Sequence, residues 1–219
     1  MSLKHLISNF VPILKPTDTG EEALVIMDDN NLNQLPLVID NDYLALVQEN
    51  DINDWLTPEH PLSAADFLKF KPIAQLSAHP FEALRIFHQL DLSVLPVLDD
   101  EQKYIGAITK DTLLAFIAES SGMDNPGGIL VIEVLPKNYT LYDVARICES
   151  EDALITHSIL YTNAQGNMEL TLKLNRMMLD GVVASLERHK YVVKEVYGKH
   201  RDDDDLEDNY NMLMTYLNI

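Results

Sequence analysis

Residues 10–36, FVPILKPTDTGEEALVIMDDNNLNQLP, return sixty positions later as residues 70–96, FKPIAQLSAHPFEALRIFHQLDLSVLP. Ten of the 27 aligned positions are identical without a gap, far more than shared composition would produce. A fixed period of this size indicates a duplicated structural unit. The identical residues are Phe10, Pro12, Ile13, Glu22, Ala23, Leu24, Ile26, Leu32, Leu35 and Pro36, matched by Phe70, Pro72, Ile73, Glu82, Ala83, Leu84, Ile86, Leu92, Leu95 and Pro96.

Each copy predicts the same order of elements, β-α-β-β-α. In the second copy, Ala83, Ile86, Phe87 and Leu90 share one face of a helix. Two short strands follow in each copy, at 35–39 and 43–47 and at 95–98 and 104–108. Because one such unit has too little surface to bury alone, we expect the two copies to pack sheet to sheet as one domain.

The pattern changes after the stretch from Gly122 to Gly128, which holds three glycines and a proline and is the best candidate for a domain boundary. Apolar and alternating runs at 129–135, 155–161, 168–174 and 191–197 predict four strands. Two apolar stripes predict the helices between them: Leu141, Val144, Ala145 and Cys148, then Met178, Val182 and Leu186. The resulting order, β-α-β-β-α-β, is the ferredoxin-like split arrangement.

Several phrases of the repeat resemble the CBS domain, which typically occurs in pairs. They are Glu82-Ala83-Leu84, Leu95-Pro96-Val97-Leu98-Asp99 and Tyr104-Ile105-Gly106-Ala107-Ile108-Thr109 followed by Leu113-Leu114. The resemblance covers about residues 5–120. The part that follows looks like an ACT domain in its size, order and position. The chain therefore resembles bacterial CBS proteins with an appended ACT-like domain, including those of the acetoin-utilisation type, although no residue indicates acetoin chemistry.

The expected fold class is accordingly α+β or α/β, with a CBS pair followed by an ACT-like domain. We expect the pair at 1–122, with repeats at about 5–60 and 65–121, and a linker at 123–128. The ACT-like domain is expected at 129–198, and 199–219 form an acidic tail that ends in a short apolar segment.

The CBS resemblance implies a site for an adenosine-type nucleotide between the repeats. The family pattern is Gly, two apolar residues, Ser or Thr, two variable residues and Asp, whose hydroxyl and carboxylate reach phosphate and ribose. In the second copy Gly106 and Thr109 match, but Thr112 takes the place of the Asp and Asp111 stands one residue early. We also include Pro96, from the strand before this motif, among the candidate nucleotide contacts.

The first copy keeps the other half of the motif. Asp51 matches the carboxylate, whereas Ala45 replaces the glycine and Gln48 replaces the Ser or Thr. Each candidate also has a purely structural interpretation, since Thr109 and Asp51 stand where helix N-caps are expected. In the ACT-like domain the corresponding candidate is Asn138, in the loop after the first strand, and its alternative role is a turn or an N-cap.

Charge and composition exclude several classes of function. Residues 1–122 carry 7 Lys/Arg and 19 Asp/Glu, or −12, and residues 123–219 carry 9 and 16, or −7. Both halves would repel a nucleic-acid backbone, and a triphosphate would find few local cations, so smaller nucleotides or nucleosides fit better. We expect no membrane span, since no apolar run approaches about 18 residues. One cysteine, Cys148, fits a reducing cytoplasm.

No catalytic or metal motif emerges from the sequence. Cys148 belongs to an apolar stripe, and His157 alternates with apolar residues, so both are expected in the core. The run from Asp202 to Asp208 lacks the ligand spacing of a calcium loop. We expect no resident cofactor, and the resemblance implies AMP, ADP, ATP or a related adenosyl compound as a bound ligand.

These observations favour a non-enzymatic regulatory protein that senses a small molecule and forms a homodimer through the CBS pair, the ACT-like domain or both. The alternative is a structural or partner-binding subunit whose CBS sites have lost their ligand. The apolar residues of 209–219 are expected to form a short helix that docks on the protein or on a partner subunit.

Overall fold

The structure, a computed structural model, describes residues 2–8, 10–135 and 139–199, together with Met214. The chain divides into two compact units, Met1–Ile117 and Ala118–Ile219. Asn138 and the expected apolar helix of the tail, apart from Met214, lie outside the described residues.

The first unit contains the two copies of the repeat, except that the last three residues of the final helix, Lys110–Ser120, fall in the second unit. The first copy comprises α1 (Gly20–Asp29), β1 (Gln34–Ile39), β2 (Asp42–Gln48) and α2 (Glu49–Asn53), and the second comprises β3 (Ala74–Gln75), α3 (Pro80–Leu90), β4 (Val94–Leu98), β5 (Tyr104–Thr109) and α4 (Lys110–Ser120). β1 pairs antiparallel with β2, while β4 pairs with β3 in parallel and with β5 antiparallel. The first copy replaces β3 with a single parallel bridge, Leu14 to Leu37. That bridge lies sixty residues before the pair Ala74 and Val97, so the sequence period is also a structural period.

The two copies interlock through the segment that precedes each of them. The backbone N–H of Ser8 donates to the carbonyl of Ala107 in β5, at 2.8 Å. Likewise, the N–H of Leu46 in β2 donates to the carbonyl of Phe70, at 2.8 Å. Each copy therefore completes the hydrogen bonding of the other copy's last strand, and the pair forms one folding unit.

Local sequence explains where the longer helices begin. Thr19 and Glu22 form a capping box at α1, in which each side chain accepts a hydrogen bond from the other residue's backbone N–H. α3 begins with a proline after His79, whose ring nitrogen accepts from the N–H of Phe81. Both helices bury an alanine at the repeated Glu-Ala-Leu phrase, which lets them lie close to the sheets.

The second unit has the ferredoxin-like fold. Its elements are β6 (Ile129–Val134), α5 (Leu141–Glu149), β7 (Ile155–Thr162), β8 (Met168–Leu174), α6 (Asp180–Arg188) and β9 (Val192–Tyr197). The strands form one antiparallel sheet in the order β7-β8-β6-β9. Val144, Ile147 and Cys148 of α5 pack with Val182 and Leu186 of α6 in the core of this unit. This β-α-β-β-α-β sheet fits an ACT-like domain.

Three expectations for the second unit are wrong in detail. Met178 is not part of a helix, because α6 begins at Asp180 and Met178 instead bridges to Lys199. Leu141 is 45% exposed, and Ile147 takes its place in the buried stripe of α5. His157 is only partly buried, since a register shift after Ile155 places it opposite Lys173 on the edge strand.

The glycine-rich boundary is also packed more closely than its composition suggests. The N–H of Gly128 donates to the carbonyl of Arg176 at 2.9 Å, and its own carbonyl accepts from the N–H of Leu174 at 2.9 Å. A side chain on Gly127 would collide with the carbonyl of Leu174. The end of the boundary therefore continues into the sheet of the second unit.

Candidate functional site

A cleft of about 490 Å³ opens at the start of α4. Thr109 and Asp111 line it from the second copy, together with Ser93 from the loop before β4. Phe10 and Asn31 line it from the first copy. The structure thus brings two of the sequence-predicted site residues into one cleft between the repeats.

The Thr109 hydroxyl is already engaged as a helix cap. Its Oγ1 accepts from the backbone N–H of Thr112 at 3.2 Å and lies 2.6 Å from the Oγ1 of Thr112. The hydrogen bond from Thr112 satisfies one backbone N–H in the first turn of α4, which begins at Lys110. A ligand that binds the Thr109 hydroxyl would therefore contact a group that already accepts a hydrogen bond from the N–H of Thr112.

Gly106 is required by the local backbone conformation, and it lines neither the cleft of Thr109 nor that of Asp51. Its φ of 143° lies in a region that residues with a side chain rarely adopt. A Cβ at this position would collide with the Cγ2 of Ile7. Ala45, at the same place in the first copy, has no positive φ. Pro96 is buried in β4 opposite Ala107, so neither Gly106 nor Pro96 faces the cleft of Thr109.

Asp51 lies in a different cleft, of about 640 Å³, beside Asp54, Asp66 and the rings of Trp55 and Phe67. It is not a helix cap, because α2 begins at Glu49 and Asp51 is its third residue. The two halves of the sequence motif therefore stay apart in the fold, and the described lining of the cleft of Asp51 holds three carboxylates and no Lys or Arg.

A chain of polar contacts explains why Gln48 replaces the Ser or Thr of the motif. The Oε1 of the buried Gln34 accepts from the N–H of Ser93 at 2.8 Å, and its Nε2 donates to the Oε1 of Gln48 at 3.2 Å. Gln48 in turn donates to the carboxylate of Asp51 at 3.3 Å. Gln48 and Asp51 therefore serve a structural network that runs from one copy into the other.

The charge in the cleft of Thr109 is nearly balanced. Among the described residues that line it, Lys110 is the one cation, and its ammonium group lies 3.0 Å from the carboxylate of Asp91. Asp111 beside it is exposed. An exposed pair of this kind contributes little to stability, so Lys110 can exchange Asp91 for an anionic ligand at small cost.

Most of the residues that line this cleft do not follow from the motif, and Lys110, Phe10, Asn31 and Ser93 are among them. Phe10 is 92% exposed, whereas its repeat counterpart Phe70 packs against the core. Asn31 and Ser93 also line the cleft, at the end of α1 and before β4. The repeat shows a phenylalanine at both positions, but no sequence signal separates the two, because only the structure shows that Phe10 is exposed while Phe70 packs against the core.

Cys148 is a core residue, as expected. Burial raises the pKa of its thiol to about 11, so the thiolate, which is the nucleophilic form, is scarce at neutral pH. Across residues 2–8, 10–135 and 139–199, no group of three or more His, Cys, Asp or Glu side chains is placed to hold a metal ion. None of the helices described in the structure has the length and apolar character needed to cross a membrane.

The CBS domain family model matches residues 3–57 and 71–119. Among solved structures, a CBS domain pair/ACT domain protein of Thermotoga maritima shares 20% identity, with 54% of this chain and 98% of that chain covered and a TM-score of 0.47. CBSX2 in complex with AMP shares 18%, covers 54% and 96%, and has a TM-score of 0.46. The cytosolic domain of the Mg²⁺ channel MgtE in complex with ATP shares 19%, covers 51% and 46%, and has a TM-score of 0.43.

The family match and the structure point to the same part of the chain. The matched segments coincide with the two interlocked copies of the repeat, each with its helices and its antiparallel strand pair. CBS pairs are in general regulatory modules. Residues 3–57 and 71–119 therefore belong to the CBS family and form a tandem pair of CBS domains.

Proposed function

We propose that this protein is a non-enzymatic cytoplasmic regulator whose CBS pair binds an adenosine nucleotide in the cleft of Thr109. The observation that carries the proposal is the composition of that cleft. An exposed aromatic ring, Phe10, faces the same space as a carboxylate, Asp111, and the ammonium group of Lys110. Its volume of about 490 Å³ falls within the range of small-molecule sites.

Each part of a nucleotide finds a matching group in this arrangement. Phe10 offers a flat apolar face on which a base stacks, worth about 1–3 kcal/mol. Asp111 accepts hydrogen bonds from ribose hydroxyls, and Lys110 pairs with a phosphate. Because Lys110 is the only cation among the lining residues that the structure describes, a monophosphate suits the cleft better than a triphosphate.

The test is isothermal titration of nucleotide-free protein with AMP, ADP and ATP. We expect AMP to bind most tightly, and Phe10→Ala to weaken AMP by about tenfold through loss of stacking. Asp54→Asn is the matched control, since Asp54 lies in the other cleft and outside the network that reaches Ser93, and it should leave AMP binding unchanged. Absence of binding by all three nucleotides would remove the proposal.

Two contacts favour a second candidate, a structural or partner-binding subunit without a nucleotide. Thr109 is committed to its helix cap, and Ile7 occupies the space beside Gly106. In either case we propose that the protein forms a homodimer, which sedimentation equilibrium tests directly. A dimer in the absence of nucleotide binding would support the structural subunit, and a monomer would contradict the homodimer.

A further inference from the structure

We propose that the side-chain amide of Asn31 selects adenine over other purines in the cleft of Thr109. This inference rests on the proposed function and names the residue that determines its specificity. Asn31 directly follows the C-terminal end of α1 and lines both this cleft and the adjoining one of about 630 Å³. It therefore lies where the two spaces meet.

The side-chain amide of Asn31 is available for hydrogen bonding to a ligand. In the part of the chain that the structure describes, its side chain makes no hydrogen bond, and the side chain is exposed to the cleft. The neighbouring Asn30, by contrast, donates its amide to the carbonyl of Ile26 at 2.8 Å and so stabilises the helix end. Asn31 thus offers one donor and one acceptor to a ligand.

The second copy of the repeat shows that the fold does not require an amide at this position. Asp91 stands sixty residues after Asn31 and shares its left-handed backbone, with φ of 47° against 52°. Asp91 uses its side chain in the ion pair with Lys110 at 3.0 Å. The equivalent of Lys110 in the first copy is Glu49, so no ammonium group stands there to engage Asn31. Both copies adopt the left-handed backbone at this position, whereas only the first copy has an amide side chain there, and that side chain lines the cleft.

An amide matches the edge of adenine and mismatches that of hypoxanthine. Its oxygen accepts from the exocyclic amino group at C6 while its nitrogen donates to N7, the pairing by which Asn reads adenine in DNA. Hypoxanthine and guanine present a carbonyl at C6, which leaves the amide oxygen facing another acceptor. On the edge formed by C6 and N7, AMP and IMP differ only in the group at C6, so their affinity ratio reports a contact to that edge.

The experiment titrates AMP and IMP into the full-length protein and into Asn31→Asp and Asn31→Arg. The wild type should favour AMP by about tenfold, the range of one good base contact. Asn31→Asp should bind AMP about tenfold more weakly, because a carboxylate cannot donate to N7. Asn31→Arg should reverse the preference toward IMP, since guanidinium donates to both the carbonyl and N7.

Asn41→Asp is the control, because Asn41 also has a left-handed backbone but lies in the β1–β2 turn outside the lining of the cleft. It should keep the wild-type ratio. AMP binding with equal affinity for IMP, or a ratio unchanged in Asn31→Asp, would overturn the role of Asn31 and leave the nucleotide site standing. Absence of AMP binding in the wild type would instead refute the proposed function and, with it, this inference.

Discussion

Gly106 matches a family motif, yet its presence is explained by the backbone conformation and by the close approach of Ile7. At the same motif position the first copy has Ala45, fully buried and without a positive φ. In the second copy, Ile7 lies against the glycine, and the neighbouring Ser8 pairs with β5. The glycine therefore lets the N-terminal segment approach the strand, which is a reason for its presence independent of any ligand.

We predict that Gly106→Ala lowers the free energy of unfolding by about 1–3 kcal/mol, because alanine is strained at this φ and collides with Ile7. Urea denaturation measures the loss. Adding Ile7→Ala relieves the collision but not the backbone strain, so the double variant separates the two causes. A Gly106→Ala variant as stable as the wild type would contradict both causes, the backbone strain and the collision with Ile7.

A second residue-scale prediction concerns Glu169 on β8, whose pKa is held below its usual range by hydrogen bonds from Tyr161 and Asn163. Because the pKa is lower in the folded state than in the unfolded one, the carboxylate stabilises the hairpin above the unfolded pKa of about 4.3. That contribution is lost as the pH falls through the folded pKa. Tyr161→Phe should raise the pKa of Glu169, measured by NMR titration, and an unchanged value would contradict the assigned cause.

At the scale of elements, Gln34 joins the two copies of the repeat. It is 4% exposed, and its side chain bonds both Ser93 before β4 and Gln48 at the end of β2. A buried polar group of this kind stabilises only while all of its partners are satisfied.

We therefore predict that Gln34→Leu destabilises the first unit by about 1–3 kcal/mol, because it leaves the N–H of Ser93 without its acceptor. Denaturation followed by circular dichroism measures the change. Asn33→Leu, at the exposed neighbouring position, is the control and should alter stability by less than about 0.5 kcal/mol. Equal effects of the two substitutions would show that the network contributes nothing of its own.

The order of helices and strands was predictable because the spacing of apolar residues follows which side chains are buried, and because the repeat shows the same spacing twice. The strands of the CBS pair match their predicted ranges to within about two residues, and the strands predicted at 155–161 and 168–174 are found at Ile155–Thr162 and Met168–Leu174. The misplaced residues share a cause that local patterns do not encode. A register shift moves His157 away from the core, and the bridge of Met178 forms through tertiary pairing.

The candidate site was predictable only in part, for a related reason. Thr109 and Asp111 followed from the motif, and the structure places both in one cleft. Phe10, Asn31 and Ser93 are distant in sequence, and only the interlocking of the copies brings them together. A motif identifies residues that are adjacent in the chain, whereas a cleft between repeats is built from both copies.

For the whole molecule, the two units have separate hydrophobic cores. The clusters of the CBS pair draw their buried residues from between Leu3 and Phe116, and the cluster of the second unit draws its own from between Leu130 and Leu186. Since each unit has about 100 residues and a core of its own, each is large enough to fold alone.

We predict that residues 1–122 and 123–219, produced as separate fragments, each unfold in a cooperative transition. The division after Gly122 keeps α4 (Lys110–Ser120) intact and leaves Gly127 and Gly128 with the sheet they pack against. Thermal unfolding followed by circular dichroism tests this, with a division after Phe116 as the control, because it removes the last four residues of α4 from the first fragment. The fragment that ends at Phe116 should be less stable than the one that ends at Gly122. A gradual transition in either half of the first division would mean that the units depend on each other to fold, and the proposed boundary at 122 would then be wrong.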